Sequence, residues 1–197
     1  MIKHADSDAE RADVLALFHR VFDDIAPAAV PMTDADAMYA PLVVQYRSSD
    51  SGRLLGAALS CRTQLAAGTS MLRPMPSSKV LLPDDRDYRT VLDKHSELDL
   101  MADEPEMRGQ GIGGAMLNHM ETVLRERGAR VWFGNVTTDL DTVALRQFYT
   151  SHGFNVLEDG HPLPNLPGKN WLPFGMDPGV AFYFYKAIKR TQISVSS

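Results

Sequence analysis

One cysteine, Cys61, stands in a chain of 197 residues. No intrachain disulfide can form, so packing must hold the fold, and a reducing cytoplasm is the expected location. No apolar run approaches the roughly 18 residues that a membrane span requires. The opening residues 1–6 hold nothing like the apolar stretch of a secretory signal, and no membrane partner is expected. Runs of Lys or Arg are absent and the formal net charge is −5, which argues against nucleic acid as a partner. The six histidines show no metal spacing. His119 falls in a helical stretch, His152 at a helix end and His161 in a loop, and no pair flanks a Glu on adjacent helical turns. No metal is expected. Internal repeats, low-complexity tracts and domain linkers are also missing. What remains, 44% hydrophobic and 23% charged, is ordinary for one soluble α/β domain.

Residues 2–5 read as a short strand. Ser7 followed by Glu10 forms a capping box, and Val14, Leu17, Phe18, Val21 and Phe22 recur at helical spacing. Residues 25–41, with three prolines, are expected to be irregular or briefly helical. Residues 42–47 and 54–63 read as two strands joined by a turn-rich loop. Residues 64–96 carry Pro74, Pro76 and Pro83 and sustain no period beyond a short helical stretch at 87–94. A connection of that length inside one domain is expected to be either functional or mobile. Past it come an extended apolar run at 98–102 and a helix at 114–127 with Met116, Leu117, Met120, Val123 and Leu124 on one face, closed by Gly128. Then follow a strand at 130–135 with Val131 and Phe133 opposite Trp132, a helix at 141–151 ended by Gly153, and a strand at 154–157. A Pro/Gly-rich loop at 161–179 leads to a last strand at 180–186. This organisation implies a single domain over residues 1–190 with an insertion at about 64–96, and a polar tail at 191–197.

The most informative residues are Arg108, Gly109, Gln110, Gly111, Ile112 and Gly113, between the 98–102 run and the helix after it. A glycine-rich turn opening a helix presents unpaired backbone N–H groups at the positive end of the helix dipole. Missing Cβ atoms let phosphate oxygens approach those donors, which is the physics of a pyrophosphate cradle. Gly109, Gly111 and Gly114 match the glycine spacing of a dinucleotide fingerprint. That reading fits poorly, because residues 103–106 interpose Asp-Glu-Pro-Glu and the next strand ends in Gly134-Asn135 with no carboxylate for a ribose.

The run from Leu100 through Pro105 and Glu106 to Gly113 resembles motif A of the GCN5-related N-acetyltransferases (GNAT family), in which Arg or Gln, two free positions, Gly, one free position and Gly or Ala bind coenzyme A pyrophosphate. Phe148-Tyr149-Thr150-Ser151-His152-Gly153-Phe154 resembles motif B, a helix ending in Tyr, three residues and Gly-Phe. The order of elements matches that fold from end to end. The resemblance implies a mixed, mostly antiparallel sheet of six to seven strands flanked by about four helices and splayed at the strand before motif A. It also implies acetyl-CoA as acyl donor, with no metal, and transfer to a primary amine by direct attack. Two positions depart from the family. Asp103 stands where a Val is usual, and the motif B helix opens at Asp141 or Thr142 where an Asn is frequent.

The resemblance implies donor contacts from the backbone of Ala102 and Asp103 and from Arg108, Gly109, Gln110, Gly111, Ile112, Gly113 and Gly114, each oriented N–H contributing on the order of 0.3–2 kcal/mol. Tyr149, also beside the donor, is the candidate general acid that protonates the departing thiolate. The plainer alternative makes it an aromatic packed at a helix end beside Phe148. Glu97 and Asp99, on one face of the strand by its period of two, and Asp103 near its end are candidates for the base that deprotonates the amine. Each could instead be a solvated strand-end charge. A backbone N–H within residues 100–103 would hold the oxyanion. Cys61 reads as a small buried hydrophobe. Trp171 and Phe174 are candidates to line the acceptor pocket or to anchor their own loop. The insertion is expected to cover the acceptor site or to build a homodimer interface. The rival reading is a non-catalytic acyl-CoA-binding or regulatory module of the same fold. The acceptor, a small-molecule or peptide amine, has no signature of its own.

Overall fold

Seven strands form one sheet in the computed structural model, which describes residues 1–62, 94–161, 163 and 179–189. The strands are β1 (Ile2–His4), β2 (Leu42–Arg47), β3 (Leu54–Cys61), β4 (His95–Asp103), β5 (Val131–Thr137), β6 (Asn155–Val156) and β7 (Val180–Ala187). Their order is β1-β2-β3-β4-β5-β7-β6. Every neighbouring pair is antiparallel except β4 with β5, which is parallel. Among the described residues there are four α-helices: α1 (Asp8–Val21), α2 (Asp36–Tyr39), α3 (Ile112–Glu126) and α4 (Thr142–Ser151). Among the described residues the fold is therefore a mixed, mostly antiparallel seven-stranded sheet with four helices. Most of the 64–96 insertion, the 191–197 tail, Trp171 and Phe174 lie outside the described residues.

Alternation along the strands sorts side chains onto two faces. Leu42 and Val44 of β2 join Leu55 and Ala58 of β3 in a core with Met116, Leu117, Met120 and Leu124 of α3. Val43, Leu54, Ala57 and Leu59 point the other way, against Val14, Leu17 and Phe18 of α1. All eight residues of β3 are buried, as befits a central strand covered on both faces. Burying each such side chain contributes roughly 1.5–3 kcal/mol. Trp132 enters the α3 core while Phe133 turns to a small cluster with Tyr183 and Leu163.

The start of α1 is the expected capping box: Ser7 Oγ accepts from the Glu10 N–H at 3.3 Å and Glu10 reaches back to the Ser7 N–H. Residues 25–41 are irregular apart from a 3₁₀ turn at Thr33–Ala35 and α2. Buried Arg11 ties this stretch down, donating to the carbonyls of Ala5 and Pro31 and to both carboxylate oxygens of Asp36.

Several boundaries move, two of them for a clear reason. β4 begins three residues before the apolar run, because His95, Ser96 and Glu97 pair with β5 and β3 although they are polar. α3 begins at Ile112, whose buried side chain belongs to the core, so Gly111 becomes its N-cap in a left-handed conformation, φ 78°.

Candidate active site

The parallel pairing of β4 with β5 runs only from His95–Val131 to Leu98–Gly134. Beyond that rung β4 continues to Asp103 against β3, and β5 continues to Thr137 against β7. The two strands part there, and the sheet is splayed as the resemblance implied. A buried polar chain holds the joined end together. The Trp132 indole N–H donates to Ser60 Oγ at 3.0 Å, Ser96 Oγ lies 2.8 Å from the same oxygen, and the Ser60 hydroxyl donates to the Glu97 carbonyl at 2.7 Å.

Gly134 marks the last shared rung. A Cβ at that position would meet Phe184 Cζ at 2.6 Å and the Leu98 carbonyl oxygen at 2.8 Å. The missing side chain admits the Phe184 ring, and Tyr149 stacks on that ring with centroids 3.8 Å apart and planes 16° from parallel. Tyr149 thus sits one ring from the point of divergence. It is delivered by α4, whose first turn is capped by Asp141 accepting from the Ala144 N–H at 3.0 Å. Where the family often has Asn, this carboxylate is already engaged in capping. Tyr149 is buried among Phe148, Phe154 and Phe184. Burial pushes its phenol above the ordinary value, so it stays protonated at neutral pH.

Sequence periodicity places Glu97 and Asp99 on one face, and they do meet, but through a bulge rather than regular alternation. Ser60 pairs with Leu98 and Leu59 with Leu100, which leaves Asp99 as the extra residue. Asp99 Oδ2 lies 3.9 Å from Cys61 Sγ, and Cys61 is the cross-strand partner of Glu97. After the bulge the alternation is reset: Met101 packs on the α3 core, Leu100 and Ala102 on the α1 core. Burial, then the charge of Asp99, pushes the Glu97 carboxyl up to about 7. Asp99 keeps solvent access although protein crowds it. Burial raises its carboxyl too, partly offset by the thiol contact. Cys61 is buried; burial, then the two carboxylates, raises its thiol, so it is no nucleophile at neutral pH.

The glycine turn divides into two pairs. Gly109 and Gly111 both have φ 78° and open space where a Cβ would stand, so backbone conformation is what requires glycine there. Gly113 and Gly114 are buried. A Cβ on Gly113 would come within 3.2 Å of Phe148 Cζ, and one on Gly114 within 2.5 Å of His152 Nε2. The second pair lets α4 dock against the first turn of α3. Arg108, Gly109, Gln110 and Gly111 are exposed, so the accessible part of the turn is its first half. The 3₁₀ turn Pro105–Met107 before it is tied to the rest of the fold by Arg20 on Glu104, at 2.7 Å, and by Arg53 on Glu106.

Asp103 ends β4 beneath this turn. Its carboxylate lies against Gly56, Ile112 and Gly113 and accepts from the Gly113 N–H, while Oδ1 is buried without a partner. Sequence reasoning did not find Gly56, Gly134 or Phe184 as parts of the site. For Gly134 a signal exists, a glycine inside an apolar strand marking a close approach; for Phe184 there is none. Among the described residues no group of three or more His, Cys, Asp or Glu could hold a metal, and no helix is long and apolar enough to cross a membrane.

Comparisons agree with this architecture. No curated protein matches the sequence. Three solved structures share the fold at low identity. An acetyltransferase of the GNAT family from Staphylococcus aureus Mu50 is 12% identical with TM-score 0.61, over 96% of this chain and 99% of that one. The ribosomal-protein-S18-alanine N-acetyltransferase from Escherichia coli is 16% identical with TM-score 0.54, over 100% and 99%. An aminoglycoside 6'-N-acetyltransferase complexed with coenzyme A is 13% identical with TM-score 0.57, over 97% and 98%. Residues 80–156, which contain both motifs, match the family model of the acetyltransferase (GNAT) domain. With that match laid on the splayed sheet, residues 80–156 are similar to the acetyltransferase (GNAT) domain, and the chain has the fold of these acetyltransferase structures.

Proposed function

We propose that the protein is an acetyl-CoA-dependent N-acetyltransferase acting on a primary amine by direct attack. The observation that carries the reading is the splay itself: β4 bears Glu97 and Asp99 where its pairing with β5 ends and runs on into the 108–114 turn, while Tyr149 stacks on the Phe184 ring that lies against Gly134 of the last shared rung. The donor would supply an activated acetyl thioester. Its pyrophosphate fits the exposed backbone of Arg108, Gly109, Gln110 and Gly111 at the N-terminus of α3, with Ile112, Gly113 and Gly114 completing the turn. The backbone of Ala102 and Asp103, on the free edge of β4, would hold the arm that reaches toward the gap. One of the solved structures sharing this fold is named as a complex with coenzyme A, which supports the choice of donor.

Each chemical role then falls to a group suited to it. Glu97 takes the proton from the incoming ammonium, directly or through water. A carboxyl at about 7 is half ionised at neutral pH and is matched to general-base work there. Asp99 is the second candidate for this role and holds Glu97 at its raised value. A backbone N–H between residues 100 and 103 stabilises the oxyanion. Tyr149, protonated at neutral pH, returns a proton to the departing thiolate. Residues 1–190 act as one domain in this reading.

The test is release of free thiol from acetyl-CoA over a panel of amines, alongside calorimetry of coenzyme A binding. Release with at least one amine supports the enzyme. Binding with no release for any amine would favour the non-catalytic acyl-CoA-binding module, a reading that the Asp103 carboxylate under the cradle keeps in view. No binding would end both.

A further inference from the structure

Asp103 is a carboxyl where the fold has use for a hydrophobe. Its neighbours are Gly56 of β3, Ile112 and Gly113 of α3, and the carbonyl-lined edge of β4 itself. Phe148 closes over Gly113 from α4. β3 and the first turn of α3 bring it no other charge; the charged group that acts on it is Arg108, from the turn, while neighbouring Glu104 is occupied by Arg20. One oxygen takes the Gly113 N–H and the other is buried with no partner. An ionised carboxylate so placed satisfies one orphan donor of α3 and opposes the dipole that would attract a phosphate.

We infer that Asp103 is a proton-linked counterweight in the donor cradle: a diphosphate-bearing donor binds with uptake of a proton at this carboxyl. This rests on the proposed donor site. Two anions cannot share the first turn of α3 without mutual repulsion, and Asp103 has no second hydrogen bond holding it ionised. The diphosphate carries charges that do not titrate near neutrality, so the carboxyl is the group that yields. Arriving negative charge raises its proton affinity, and the neutral acid remains under the helix while the diphosphate takes the outward-facing N–H groups. The carboxylate oxygen gains one proton from solvent; no other bond changes.

The linkage has a definite sign. Across the interval between the carboxyl's pKa in the free and in the bound protein, donor affinity falls as pH rises, by at most about tenfold per pH unit for one proton. The experiment is isothermal calorimetry of dephospho-coenzyme A, which lacks the titrating 3′-phosphate, in buffers of different ionisation enthalpy, for the parent chain and for Asp103→Asn and Asp103→Val. Pantetheine, without the diphosphate, is the control. Expected are net proton uptake by the parent and none with pantetheine. Both variants should lack the uptake and bind more tightly at alkaline pH, by about tenfold for each pKa unit the carboxyl gains on binding. A ligand-free readout runs beside it: burial raises this carboxyl, so the parent should lose stability relative to Asp103→Asn as pH rises above the ordinary 3.8. Binding without proton uptake by the parent, or with the same uptake in the variants, would overturn the inference and leave the donor site standing. No binding by any of the three would overturn the proposed function and the inference together.

Discussion

Gly134→Ala tests whether the divergence of β4 from β5 depends on one missing side chain. The added methyl would lie 2.8 Å from the Leu98 carbonyl oxygen and 2.6 Å from Phe184 Cζ. The first is backbone at the last shared rung and cannot rotate away. The second belongs to a fully buried ring held between Tyr149, at 3.8 Å, and Phe154, at 5.3 Å. Overpacking of this kind costs about 1–3 kcal/mol. Replacing a strand glycine offsets roughly 0.5–1 kcal/mol of that. A contact with immobile backbone favours the upper part of the range, so a net loss of about 1–2 kcal/mol is expected, equivalent to a melting temperature roughly 2–8 °C lower for a chain of this size. Phe184 can move only by pushing Tyr149, so turnover should fall as well, by up to about 100-fold if the phenol shifts by an ångström. Urea denaturation and thiol-release kinetics on the same preparation measure both effects. Unchanged stability with unchanged turnover would show that the strands yield at this rung, and the wedge formed by Leu98, Gly134 and Phe184 would not define the site.

Tyr149→Phe keeps the ring stacked on Phe184 and removes only the hydroxyl. Turnover should drop by roughly 10- to 10⁴-fold with coenzyme A affinity nearly unchanged, and normal turnover in stopped-flow thiol release would remove Tyr149 from the mechanism. Ser60→Ala strips the acceptor from the Trp132 indole N–H and the donor from the Glu97 carbonyl in a buried site. It should cost about 1–3 kcal/mol in denaturant unfolding; a smaller loss would mean that this polar chain does not hold the joined strands.

Much of the fold is legible because its signals are local. The capping box at Ser7 and Glu10, the stripe of Met116, Leu117, Met120 and Leu124, and the close of α3 at Gly128 each follow from neighbours in sequence. The glycine turn proposed as the donor cradle is legible for the same reason, being one continuous segment. The bulge at Asp99 is not. It is a property of the pairing with β3, and only that register shows that Glu97 and Asp99 share the Cys61 side while Met101 has changed faces. Nor does the sequence separate the tasks of four nearby glycines. Gly109 and Gly111 answer to backbone angle, and Gly113 and Gly114 to the arrival of α4 from thirty-odd positions downstream. Asp103 looks odd in sequence, but its burial under α3 depends on Gly56, a residue far away in the chain.

Two carboxyls of β4 place opposite demands on pH, and their opposition gives a last prediction. As the proposed base, Glu97 would act only when ionised, and burial beside Asp99 holds it at about 7, so turnover at saturating donor should rise through neutrality and level off above it. Ionisation of Asp103 opposes the donor's diphosphate, so donor affinity should weaken as pH rises. Turnover over KM for acetyl-CoA shares the acid limb set by Glu97, with a gain toward alkaline pH smaller than that of turnover itself. Stability runs against catalysis at the first of these groups. A carboxyl raised from 4.5 to about 7 binds its proton more tightly folded than unfolded; its contribution is full below 4.5, and roughly 3 kcal/mol is lost as pH climbs through that window. Glu97→Gln should therefore be more stable than the parent at pH 8, by thermal melting, while losing the acid limb and most of its turnover. A variant that kept the acid limb would assign the base to Asp99 or to water, and one no more stable than the parent would show that Glu97 is solvated in the folded chain.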